Sequence, residues 1–151
     1  MTAPGRLLGV DYGTVRVGLA VSDPDRKIAS PLTTYTRQNP EKDAEYLRKL
    51  VAEESVAGLV VGLPVHTTGR EGTQAGEART FGAWLGKVTT LPVAFFDERF
   101  TTVEAESSLW NAGLTHKQRK QRRDRVAAQI MLQAYLDGGC PGAEGTGRLE
   151  G

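Results

Sequence analysis

Three carboxylates that lie far apart in the sequence could together hold a divalent cation. Asp11 ends an apolar run, Glu98 closely follows another, and Asp124 lies near the expected start of a helix. Two carboxylates about 4 Å apart repel by roughly 4 kcal/mol at an effective dielectric constant of 20, so either some protonate or a cation neutralises them. Oxygen ligands suit Mg²⁺ or Mn²⁺. The sequence therefore predicts that Asp11, Glu98 and Asp124 are the metal ligands and the catalytic residues.

Each of these acidic residues also has a structural interpretation. Asp11 could cap a turn, and Glu98 could pair with Arg99. Asp124, if it lies in the first turn of a helix, could complement the helix dipole. Asp97 precedes Glu98, and adjacent residues of a strand face opposite sides of the sheet, so only one of the two is expected to reach a metal. Glu98 is the favoured ligand, and Asp97 is expected to be a structural hydrogen-bond acceptor.

Metal ions held in this way can activate water and stabilise the leaving oxygen in phosphodiester hydrolysis. The net charge of the chain is only +1, so attraction to nucleic acid must come from a local patch. A dense basic run just before Asp124 could contact a phosphate backbone, although such a run is often only a solvated face. The residues expected to bind nucleic acid are Arg16, Arg99, Lys117, Arg119, Lys120, Arg122, Arg123 and Arg125. For Arg16 and Arg99 the alternative is an ion pair with Asp11 or Glu98.

Hydrophobic periodicity and turn signals predict a mixed α/β sheet around these residues. The expected elements are strands at 6–11, 15–22 and 28–35, a helix at 40–54 capped by Asn39, a strand at 59–63, a helix at 73–88, a strand at 92–96, a helix between 101 and 113, and a last helix carrying 126–136. Three strands in antiparallel connection and then two parallel strands form a five-stranded sheet with helices on both faces. The carboxyl ends of its parallel strands meet at one edge, where Asp11 and Glu98 would lie.

Composition limits the remaining possibilities. A chain of 151 residues with 39% hydrophobic and 25% charged residues is expected to form a single domain, here residues 1–137. The Gly-rich tail, residues 138–151, has little to bury and is expected to be disordered. No apolar stretch is long enough for a membrane helix. The lone Cys140 cannot form an internal disulfide, so a cytoplasmic location is expected.

The ordered set of motifs resembles the YqgF family, also called RuvX. The matching pieces are Gly9-Val10-Asp11-Tyr12-Gly13-Thr14 with Arg16-Val17-Gly18, Val61-Gly62-Leu63-Pro64, Asp97-Glu98-Arg99-Phe100-Thr101-Thr102, and Asp124 with Ala127-Ala128. The resemblance implies an RNase H-like fold and a cytoplasmic, metal-dependent nuclease whose acidic residues are Asp11, Glu98 and Asp124. It also implies processing of the 5′ end of pre-16S ribosomal RNA, with ribosomal particles as partners. Arg123 departs from the family, many of whose members carry an apolar residue there.

Three other interpretations stay open. Members of the same family are also regarded as resolvases of Holliday junctions or other branched DNA. The segment 11–14 resembles the phosphate loop of actin-like kinases and ATPases, but those enzymes close two such domains over a nucleotide and this chain supplies one. The third is a non-catalytic module that binds nucleic acid or the ribosome. Sequence decides neither the substrate nor whether the protein is a monomer or a homodimer.

Overall fold

The expected mixed sheet is present. The computed structural model describes residues 4–63, 73–97 and 115–140. In chain order, their elements are β1 (Arg6–Asp11), β2 (Arg16–Ser22), β3 (Ala29–Thr36), α1 (Pro40–Glu53), β4 (Val56–Leu63), α2 (Thr73–Thr89), β5 (Val93–Asp97) and α3 (His116–Asp137). The sheet order is β3-β2-β1-β4-β5. The pairs β1–β2 and β2–β3 are antiparallel, whereas β1–β4 and β4–β5 are parallel.

The alternation of side chains along the strands creates two cores, one on each face of the sheet. On β1, Leu8 and Val10 pack beneath α1 and α2, whereas Leu7 packs beneath α3. Both faces of a strand such as β1 are therefore covered, which explains its continuous apolar sequence. The helices lie on both faces of the sheet, as predicted.

The start of α1 follows the sequence signal. The Asn39 side chain accepts a hydrogen bond of 2.9 Å from the backbone N–H of Lys42, and Pro40 occupies the first turn. This cap satisfies one of the N–H groups that a helix start leaves without a partner, and proline at this position loses no hydrogen bond. The predicted start of this helix is confirmed.

The last helix, in contrast, begins well before Asp124. Thr115 and Gln118 form a capping box, and α3 runs from His116. Asp124 is therefore in the third turn, where the helix dipole no longer favours an acid. The expected start near Asp124 is wrong, and with it the interpretation of Asp124 as a first-turn acid.

Glycines on the sheet let α3 approach unusually closely. A Cβ atom added at Gly18 would lie 2.6 Å from the carbonyl carbon of Asp124 and still closer to its oxygen. A Cβ added at Gly9 would lie 2.9 Å from the Cβ of Leu132. The backbone of α3 thus rests directly on β1 and β2, a use typical of glycine inside a strand.

Several expectations fall outside the described residues. These are the helix between 101 and 113 and the tail from residue 141. The domain boundaries therefore stay predictions. Within the described part of the chain, no helix has both the length and the apolar character needed to cross a membrane.

The close contact at Gly18 predicts a sharp difference between two Gly→Ala substitutions. Gly18→Ala should lower the free energy of unfolding by about 3 kcal/mol, because α3 must move away from the sheet. Gly76→Ala in α2 meets nothing within 4 Å and should instead stabilise by about 0.5–1 kcal/mol. Urea denaturation of both variants checks this. A Gly18→Ala protein as stable as the wild type would contradict the packing described.

Candidate active site

Asp11 stands at the carboxyl end of β1 between two glycines. Its partner in the antiparallel register is Gly18 of β2, and its partner in the parallel register is Gly62 of β4. Residues paired in register project from the same face of a sheet. Neither neighbouring strand therefore places a side chain beside Asp11 on its own face.

That face is the one covered by α3. Leu7 packs in the core between the sheet and α3, and Gly9 contacts Leu132 of α3. Because alternate residues of a strand share a face, Asp11 lies on the α3 face as well. The Asp124 backbone lies over Gly18, and Gly18 is the cross-strand neighbour of Asp11. Paired Cα atoms in antiparallel strands are about 4.5–5.5 Å apart. The structure thus brings Asp11 and Asp124 together at one edge of one face.

The helix face that carries Asp124 is largely the predicted one. Ala128, Met131 and Tyr135 are buried at spacings of four, seven and eleven residues from Asp124. Ala127, expected on the same face, is only half-buried. The contact of α3 with the sheet therefore fixes the rotation of the helix and aims Asp124 toward the sheet edge.

Arg16 binds Asp124 in this structure. Its Nε atom donates a hydrogen bond of 2.7 Å to Oδ2 of Asp124, and the two side chains are 28% and 27% exposed. Arg16 lies two residues before Gly18 on β2, and therefore on the same face. Arg16 thus forms an ion pair, the alternative to phosphate binding, and the partner identified is Asp124 and not the expected Asp11. A guanidinium so placed supplies the positive charge that a half-buried carboxylate needs.

Of the adjacent acids Asp97 and Glu98, the structure describes only Asp97. Phe96 is paired with Gly62 and packs in the α3 core, so the next residue, Asp97, belongs to the opposite face. Asp97 has partners of its own in the structure. Glu98 lies outside the described residues. Asp97 is thus on the face away from Asp11, and its expected role as a structural hydrogen-bond acceptor stays a prediction.

The donor set suits a hard divalent cation. In the described ranges, which omit Glu98, no group of three His, Cys, Asp or Glu residues is close enough to hold a metal. Asp11 and Asp124 nevertheless supply carboxylate oxygens only, the ligands preferred by Mg²⁺ and Mn²⁺. On the Gly18 side of Asp11, the Asp124 backbone occupies the place that a side chain would take, so the helix that carries Asp124 borders the place where such an ion would bind.

The structure does not describe the side chains of most residues that are expected to bind nucleic acid. The backbone of α3 carries the basic run, and within it the half-buried Arg125 follows Asp124 directly. Arg99 is outside the described residues. The side chains not described in α3 are those of Lys117, Arg119, Lys120, Arg122 and Arg123.

Sequence reasoning did not find the glycines that make the site. Gly9 and Gly18 were recognised only as parts of a motif, although glycine inside a strand is a signal of close backbone approach. The nature of the approaching element cannot be known before the fold is. The contribution of these two positions therefore becomes visible only in the structure.

Comparisons with known proteins agree with this architecture. A family model described as "RuvX: Holliday junction resolvase" matches residues 5–138. A Rhodopirellula baltica protein named "Putative pre-16S rRNA nuclease" is 50% identical over 135 residues, which cover 89% of this chain and 78% of the relative. A Rhodobacter capsulatus protein of the same name is 47% identical over 133 residues, covering 88% of this chain and 84% of the relative.

Among solved structures, the fold is similar to that of RuvC. The Thermus thermophilus RuvC in complex with a Holliday junction substrate superposes with a TM-score of 0.53, covering 89% of this chain and 96% of the other. At 14% sequence identity this likeness concerns the fold alone. The RNase H-like fold expected from the sequence motifs is confirmed. The extent of the family match and the identity to its relatives show that this chain belongs to the RuvX family.

Proposed function

We propose that this protein is a metal-dependent nuclease that hydrolyses phosphodiester bonds at the sheet edge where Asp11 meets Asp124. The observation that carries the proposal is the contact of the Asp124 backbone with Gly18, the cross-strand neighbour of Asp11. Two acids on one face supply the carboxylate oxygens that a hard divalent cation takes as ligands. The name of its relatives makes pre-16S rRNA the substrate we favour, and the resemblance of the sequence motifs to the family makes its 5′ end the part we expect to be processed.

Asp11, Glu98 and Asp124 are the residues that would hold Mg²⁺ or Mn²⁺. Glu98 follows Asp97, which belongs to the opposite face, so one more residue of strand alternation would return Glu98 to the face of Asp11. A divalent ion bound there would lower the pKa of a water molecule and neutralise charge on the phosphate. In the hydrolysis, water adds to phosphorus and one P–O bond breaks, leaving a phosphate monoester and a hydroxyl group.

Arg16 has a role that depends on whether a cation is present. In the structure it neutralises Asp124. When a cation occupies the carboxylates, the guanidinium is placed to bind a non-bridging oxygen of the scissile phosphate, a geometry that arginine favours. The same arginine thus compensates charge in the free protein and positions the substrate in the complex.

The basic run of α3 would hold the substrate strand beside the carboxylates. Phosphate contacts of this kind give affinity without sequence preference. We propose that the protein acts in the cytoplasm on precursor ribosomal RNA or ribosomal particles, as a monomer or homodimer. The description of the family model favours branched DNA as the second candidate substrate.

The acidic residues give the most direct prediction. Asp11→Asn, Glu98→Gln and Asp124→Asn should each lower Mn²⁺-dependent cleavage at least about a hundredfold, because each removes a metal ligand. Asp97→Asn is the matched control: it changes the same chemical group next to Glu98 but on the other face, and should keep cleavage within a few fold. The rate constants for cleavage of labelled substrates check this.

The substrates in that assay separate the candidate functions. They are a precursor RNA ending upstream of the 16S 5′ end, an unstructured RNA and a four-way DNA junction. Preferential cleavage of the precursor supports the favoured substrate, and preferential cleavage of the junction supports the resolvase. If the protein binds these substrates but cleaves none of the three in Mg²⁺ or Mn²⁺, the nuclease is rejected and a non-catalytic binding module is left.

Arg16 provides an independent prediction through stability. In EDTA, Arg16→Gln should lower the free energy of unfolding by about 1 kcal/mol, because Asp124 loses a charged hydrogen-bond partner. Saturating Mn²⁺ should raise the melting temperature of this variant more than that of the wild type. Arg6→Gln is the control. It removes a longer ion pair, 3.9 Å, with Glu54, and Mn²⁺ should raise its melting temperature only as much as that of the wild type. Equal Mn²⁺ responses of the wild type and Arg16→Gln would disprove the role assigned to Arg16.

A further inference from the structure

A concave site lies on the face of the sheet opposite the carboxylates. It is a cleft of about 650 Å³ bounded by α1, α2 and the end of β1, and Asp11 and Asp124 are not among its described lining residues. This volume is within the range of about 300–1,000 Å³ that is typical of small-molecule sites. Nothing in the proposed hydrolysis uses it.

Aromatic rings form one continuous wall of the cleft. The rings of Tyr12 and Phe81 have centroids 5.2 Å apart, and those of Phe81 and Trp84 are 5.5 Å apart. Phe81 is 6% exposed, whereas Tyr12 and Trp84 are partly exposed. Partly exposed rings at the border of a cleft are available to a planar ligand, and base stacking on such rings is tolerant of sequence.

Arg37 is fixed above this wall. Its guanidinium carbon lies 5.3 Å from the Tyr12 ring centroid and 5.1 Å from that of Phe81. It donates hydrogen bonds of 3.3 Å to the Tyr12 hydroxyl and to the carbonyl of Gly13. A guanidinium held in this way offers both a planar surface and further N–H donors to a ligand.

Asp43 anchors this arrangement from below. Its buried carboxylate accepts hydrogen bonds from the Tyr35 hydroxyl at 2.6 Å and from the Gln38 N–H at 2.9 Å, and lies 3.8 Å from Nε of Arg37. Burial and the bond to Asp43 raise the pKa of Tyr35, which therefore stays a donor at neutral pH. The cleft thus has a preformed polar end as well as an aromatic wall.

One position in α2 leaves the cleft open. Gly76 lines the cleft, and a Cβ atom added there would meet nothing within 4 Å. Glycine inside a helix costs about 1 kcal/mol relative to alanine. Here the place that a side chain would take is open, on the helix that also carries Phe81 and Trp84 to the cleft.

The cleft and the carboxylates share a sheet edge. Tyr12 directly follows Asp11, so their Cα atoms are about 3.8 Å apart. Tyr12 packs with the core beneath α1 and α2, whereas Asp11 belongs to the α3 face. A single strand that crosses this edge can therefore present a phosphate to Asp11 and an unstacked base to the cleft.

We propose that the cleft between Tyr12, Arg37, Phe81 and Trp84 binds one unstacked nucleobase of a single-stranded segment of the substrate. This inference rests on the proposed function for the identity of the ligand. Single-stranded segments of RNA are recognised by stacking of splayed bases on aromatic side chains and arginine planes, which is the combination present here. The base held in the cleft would fix the position of the neighbouring phosphodiester at the carboxylates.

Trp84 makes the test possible without activity. The chain has two tryptophans, so Trp110→Phe leaves Trp84 as the sole indole. This protein is titrated in EDTA with single-stranded hexa-adenylate RNA and with an abasic hexamer of the same phosphate number. The RNA should quench Trp84 fluorescence saturably, and the abasic hexamer should not.

Substitutions at Gly76 provide the matched pair. Gly76→Leu, which fills the cleft, should weaken RNA binding about tenfold or more, whereas Gly76→Ala should bind as the parent does. Thermal melts establish that both are folded, as the open space at Gly76 implies. No quenching by the RNA, equal quenching by the abasic hexamer, or equal affinities of the two Gly76 variants would overturn the proposal.

The outcome is separable from that for the nuclease. Asp11→Asn lies on the other face and should keep the quenching while it loses cleavage. If the Asp11→Asn variant cleaves as the wild type does, the proposed nuclease site fails and the titration still decides the cleft. If cleavage depends on Asp11 but Trp84 is never quenched, only the base-binding cleft fails.

Discussion

The backbone contact between α3 and β2 at Gly18 is the constraint on which the candidate site depends. A helix normally stands away from a sheet by the length of the side chains between them, but here a glycine removes that spacing. The carbonyl of Asp124 consequently rests on the strand beside Asp11. Small shifts of α3 would separate the two carboxylates. The metal affinity therefore depends on how closely α3 packs on Gly18, a residue that carries no functional group.

Electrostatic repulsion limits how such a site can exist before a cation binds. Two carboxylates on one face favour unfolding or protonation unless a positive charge is near. Arg16 supplies this charge through its 2.7 Å hydrogen bond to Asp124. The guanidinium of Arg16 thus acts as an internal cation in the free protein. To displace it, a divalent ion must bind Asp124 more tightly than Arg16 does.

Much of this structure could be predicted from the sequence because local rules dominate in its elements. Alternating and continuous apolar runs specify the strands, and Asn39 with Pro40 specifies the start of α1. The start of α3 was misplaced because its first turns are basic and lack apolar periodicity until Val126. The Thr115–Gln118 capping box was the available signal.

The parts that escaped prediction are those created by tertiary contacts. Gly18 lies in a strand, where glycine signals the close approach of another backbone, but no local pattern shows that the approaching element is α3 or that the surroundings of Gly76 are open. The place of the buried Phe81 in an aromatic wall depends on how α2 meets Tyr12. Such relations are set by the register and by helix position, which no single segment encodes.

Anomalous scattering from a crystal of the protein grown with Mn²⁺ shows whether Asp11 and Asp124 bind one cation. The proposed metal site predicts an anomalous peak at about 2.0–2.3 Å from carboxylate oxygens of both Asp11 and Asp124. It also predicts that Arg16 no longer contacts the oxygen that binds the metal. An Asp124 still bound to Arg16, with Mn²⁺ absent from Asp11 at saturating concentration, would contradict it.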